Sequence, residues 1–85
     1  MLRERILEAN LSGVLTEIGV EVRSAVQKHE SLNSAHEAYS VILEELDEFW
    51  DQVKLKRERR DQHAMRKELL QTAAMCVRAI VDLGI

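Results

Sequence analysis

Glu68-Leu69-Leu70-Gln71-Thr72-Ala73-Ala74-Met75-Cys76-Val77-Arg78-Ala79-Ile80-Val81-Asp82-Leu83 is the stretch that decides the fold. Its apolar residues do not alternate as on a strand. Set at 100° per residue, those from Leu69 onward cover most of a helix circumference. Asp61, a residue type that accepts hydrogen bonds from the first free amides, is a plausible N-cap and predicts a helix from about Asp61 to Leu83. A helix apolar nearly all round must be buried on several sides. Three helices of one short chain cannot cover it, and its small residues allow close approach by neighbours. The expected fold is therefore all-α: a helical bundle of three main helices per chain, its core completed by oligomerisation.

Immediately upstream, Ser34 and Glu37 have the spacing of a reciprocal capping box and open a second predicted helix that runs to about Arg57. Ala35, Ala38, Ile42, Leu46, Phe49, Trp50 and Val53 form its apolar arc. Glu37, Glu44, Asp47, Glu48 and Asp51 fall opposite, with Glu45 on the border. A first helix is predicted from about Leu2 to Lys28, where Leu7, Leu11, Val14, Leu15, Ile18, Val22 and Ala25 recur at steps of three and four. Gly13 and Gly19 weaken it, and Asn10–Gly13 is the place for a break. No repeat or linker divides residues 1–85, which read as a single domain.

The 85-residue chain has 46% hydrophobic and 32% charged residues, three Gly and no Pro, a helical rather than a disordered profile. A chain this short buries only roughly 60–65% of its unfolded surface, so a lone monomer is marginal. The single Cys76 makes no internal disulfide, and no Cys/His cluster offers structural zinc. Partner subunits remain as the means of support, and a cytoplasmic setting is expected. No stretch approaches the roughly 20 apolar residues of a membrane span, and Met1–Asn10 does not read as a signal peptide, so no membrane partner is expected. A net charge of −3 argues against a dedicated nucleic-acid binder.

Glu44-Glu45-Leu46-Asp47-Glu48 carries the chemistry. Helical residues three and four apart are neighbours, so Glu45 and Glu48 project side by side and Glu44 reaches Glu48. Like charges at these steps, Asp47 with Asp51 included, cost a helix a few tenths of a kcal/mol each. Glu68 opens the most apolar part of the third helix, where an unpaired carboxylate is expensive to bury. Antiparallel packing of the second and third helices brings it to face Glu45 and Glu48. A divalent cation turns that repulsion into attraction, and all-oxygen ligands point to magnesium or manganese. A merely solvated acidic face is the competing reading. Di-iron chemistry needs Glu-x-x-His pairs, which are absent.

These residues resemble the MazG-like pyrophosphohydrolases of the all-α nucleoside triphosphate pyrophosphatase group, in particular the short ones of phages and mobile gene cassettes. That family carries Glu-Glu-x-x-Glu on one helix and Glu-x-x-Asp on the next; here stand Glu44-Glu45-Leu46-Asp47-Glu48 and Glu68-Leu69-Leu70-Gln71. The likeness extends through His36–Leu43, Trp50, Met65–Lys67, Ala73–Met75 and Arg78-Ala79. Gln71 replaces the family's final Asp with a neutral carbonyl donor. The resemblance implies hydrolysis of a nucleoside triphosphate between the α and β phosphates by magnesium ions (manganese as the substitute) held by Glu45, Glu48, Glu68 and Gln71. Glu44 is the candidate to orient or deprotonate the water.

Among the basic residues, Lys54, Arg57 and Arg78 are candidates for the triphosphate. The alternatives are interaction with the helix dipole for the first two and a structural salt bridge for Arg78. Trp50, Phe49 and Tyr39 read as core, and Cys76 as a small buried hydrophobe. Two function classes stay open: a nucleotide pyrophosphohydrolase working as a homodimer or homotetramer, and a catalytically silent helical interaction module of the same shape.

Overall fold

A computed structural model describes residues 1–85. It contains α1 (Leu2–Lys28), α2 (Ala35–Val53), a short 3-10 turn at Arg57–Arg59 and α3 (Gln62–Leu83), with no strand. The all-α bundle expected from the sequence is what the chain forms.

Local chemistry sets the boundaries. Ser34 Oγ accepts from the Glu37 amide at 3.1 Å, and Glu37 reaches back one residue further than expected, to the Asn33 amide. Asp61 Oδ1 accepts from the amides of His63 and Ala64, capping α3 as its residue type requires. At the far end Gly84 adopts φ 68°, a left-handed conformation that side chains resist, and its amide returns to Ile80 and Val81. Helix α2 stops at Val53, short of Arg57. Arg60 turns back there, its guanidinium donating to the carbonyls of Val53 and Leu55, while Gln52 Oε1 accepts from the Asp61 amide. Arg60 is thus a structural residue. Helix α1 runs unbroken through Asn10–Gly13, so the break that Gly13 would allow there is not made.

Helix α3 is the hub: it packs against α2, antiparallel across the turn, and against α1. Glu17 pairs with Arg66, and the backbone carbonyl of Glu30, just past the end of α1, accepts from Arg78, so α1 and α3 run parallel. Little is buried. Only Ala25, Leu32, Ala38, Ala74, Arg78 and Ala79 are buried, and a small cluster of Leu32, Ala38 and Ala79 forms the core, flanked by Val41, Ile42 and Leu83. Phe49 is half-buried, but Trp50 and Tyr39 are exposed, contrary to the core role expected of them. Cys76 is exposed as well. The apolar faces are real; what one chain lacks is the material to cover them.

Candidate metal centre

The three acids that the helical spacing singles out meet. Glu45 and Glu48 lie one turn apart on α2, and the antiparallel return of α3 sets Glu68 against them. One carboxylate oxygen from each lies within 4.8 Å of the other two. At such a separation two carboxylates repel by about 3 kcal/mol at an effective dielectric of about 20. Glu48, which faces water, lies at the lower end of that effect.

Glu45 and Glu68 are half-buried, and the Oε2 of each is screened from water with no hydrogen-bond partner. Burial pushes the Glu45 carboxyl above its ordinary range, followed by the charges of Glu48 and Glu44 and a hydrogen bond shared with Glu48; Glu21 adds the smallest push. Glu68 is raised first by burial, then by a hydrogen bond shared with Glu48 and by the charges of Glu48 and Glu45, with Lys67 opposing. Orphaned oxygens of this kind, on a set of hard anionic donors, could hold a hard metal cation.

Beside the acids opens a cleft of about 740 Å³, walled by α1 and α2 and floored by α3. Glu44, Glu45 and Gln71 line it, so Gln71, one turn on from Glu68, faces the same space as Glu44. Two residues that the local patterns did not single out also line it, Glu21 and Lys28 from α1. Their place depends on the parallel docking of α1 on α3, for which helix periodicity carries no signal. The loop His29–Asn33 forms the rim.

Arg78 holds that rim. It is 5% exposed, its Nη2 donates to the Glu30 carbonyl, and its Nε lies 3.3 Å from Asp82 Oδ2, an ion pair without hydrogen-bonding angles. The same Asp82 oxygen accepts from the Leu32 amide at 2.9 Å. Arg78 lines the cleft, but its guanidinium is already engaged, which is the structural salt bridge of the two roles open to it. Lys54 pairs with Asp51 at 2.9 Å, and neither it nor Arg57 lines the cleft. Lys28 is the cleft cation with no ion-pair partner.

No helix is long and apolar enough to cross a membrane. Compared with family models, curated proteins and solved structures, the chain gives no match.

Proposed function

We propose that this chain is a magnesium-dependent nucleoside triphosphate pyrophosphohydrolase of the MazG-like kind, acting as a homodimer or homotetramer in the cytoplasm. The observation that carries the reading is the convergence of Glu45, Glu48 and Glu68 beside the cleft. The cleft volume falls within the range of small-molecule sites, roughly 300–1,000 Å³.

Glu45, Glu48 and Glu68, with the Gln71 carbonyl oxygen, are the residues to hold magnesium. When bound, the ion supplies charge neutralisation for the phosphates and activation of water. The rest falls to side chains. Glu44, adjacent in sequence to a ligand and open to the cleft, orients the attacking water and takes its proton. The water oxygen bonds to the α-phosphorus as the bond to the bridging oxygen breaks, leaving monophosphate and pyrophosphate. The amides of His29, Leu32 and Asn33 already donate within the chain; Lys28, which lines the cleft without an ion-pair partner, would contact the phosphates. Lys54 and Arg57 would reach them only through rearrangement or from another subunit.

The test is pyrophosphate release from a panel of standard and modified nucleoside triphosphates with magnesium present. Release that chelator abolishes, and that Glu48→Gln or Glu68→Gln lowers at least about a hundredfold, is expected. Full activity in either variant refutes the assignment. If no nucleotide is cleaved and magnesium leaves the melting temperature unchanged, the silent interaction module is the correct reading.

A further inference from the structure

Helix α1 is longer than its support. From Leu2 through Gly13 every residue is exposed, because α3 begins opposite Val14 and Glu17. At 1.5 Å per residue this segment projects about 18 Å past its neighbour. It is not polar: Leu7 and Leu11 are 54% and 37% exposed. They lie on the same face of the helix as Val14 and Ile18, whose half-buried side chains, with Met65 and Leu69 of α3, line an open apolar groove of about 440 Å³.

The area of the whole chain says how much is left uncovered. It exposes 6808 Å², whereas a folded monomer of its 9.8 kDa mass exposes about 5,200 Å². Its radius of gyration is 14.7 Å, against about 12 Å for a compact domain of this length. Two chains that each hid the surplus would bury about 3,000 Å² together, which is the range of obligate homodimers. The surplus identifies a second copy as the occupant, because hiding it twice gives an interface of obligate-dimer size. The spacing of the stripe allows this pairing: positions 7, 11, 14 and 18 are separated by four, three and four residues, so an antiparallel copy sets 7 against 18 and 11 against 14, each contact made twice about the axis.

We propose that two copies pair about a two-fold axis, the projecting part of α1 in each lying antiparallel in the α1–α3 groove of the other. Leu7 then meets the partner's Ile18, and Leu11 the partner's Val14, with Met65 and Leu69 as the groove wall. This arrangement rests on the homo-oligomer reading and names its surface; it is independent of the catalytic one.

Sedimentation equilibrium over a dilution series gives two chains for the wild type. Leu7→Glu combined with Leu11→Glu gives one, since neither side chain supports the monomer. In case that variant does not fold, a cysteine pair tests the same register. Leu7→Cys with Ile18→Cys, in a Cys76→Ser background, forms a covalent dimer on mild oxidation, while Leu7→Cys with Cys76→Ser alone does not. A wild-type chain that sediments as a monomer overturns both the arrangement and the homo-oligomer reading. A dimer that survives the double Glu substitution, that fails to cross-link through the cysteine pair, or that cross-links through Leu7→Cys alone overturns the arrangement only.

Discussion

Glu45 and Glu68 each keep a carboxylate oxygen away from water with no donor to meet it, and both hold their protons above the ordinary carboxylate range, chiefly through burial. The sign of the pH effect follows. Between the unfolded value, about 4.3 for Glu, and the raised folded value, the native state binds more protons than the unfolded chain. Stability therefore falls as pH rises through that interval. Without divalent cations, the melting temperature is expected to rise as pH is lowered through that interval, and Glu68→Gln to flatten the dependence. Magnesium at neutral pH should act as acidification does and raise the melting temperature, which thermal scans with and without chelator check. Gln71→Asp adds a charge worth about 2 kcal/mol toward a divalent ion even at bulk-water screening. Calorimetric titration should show magnesium bound about tenfold or more tightly. At this scale Glu45 and Glu48 were legible because helical neighbours follow from spacing alone; Glu68 needed the antiparallel return of the third helix, and Gln71 came in only through the family resemblance. Glu21 and Lys28 were not legible, since nothing local in Leu2–Lys28 states which part of that helix returns to the acids.

At the scale of elements, side chains at the boundaries hold the connections. Ser34→Ala removes the acceptor for the Glu37 amide and is expected to cost about 1 kcal/mol. Arg78→Met does more, because it leaves Asp82 and the Glu30 carbonyl behind: removing one partner of a buried pair costs about 3–5 kcal/mol. Denaturant titration measures both, and faster proteolysis between His29 and Asn33 would accompany the second. The caps at Ser34 and Asp61 were legible because a cap is a contact among residues within four positions of each other. The end of α2 was not, since it depends on Arg60 folding back from beyond the helix. The unbroken α1 shows the converse. Gly13 and Gly19 lower helix propensity by about 1 kcal/mol each, and the long run of helix formers around them outweighs it.

For the whole molecule, an all-α bundle was legible from the near-continuous apolar circumference of α3. The degree of burial was not. A helical wheel identifies an apolar face and leaves unsaid what lies against it, so Trp50, Tyr39 and Cys76 read as core and are exposed in the single chain. Dependence of the melting temperature on protein concentration is the expected signature of a chain that finishes its core with copies of itself; a constant value would place the uncovered faces in water. All three acids belong to the hairpin of α2 and α3, whereas α1 touches that hairpin through α3 and forms only one side of the cleft. The acid cluster and this cleft wall therefore rest on different helices. Displacing α1 would remove one wall of the cleft and leave the three acids facing one another.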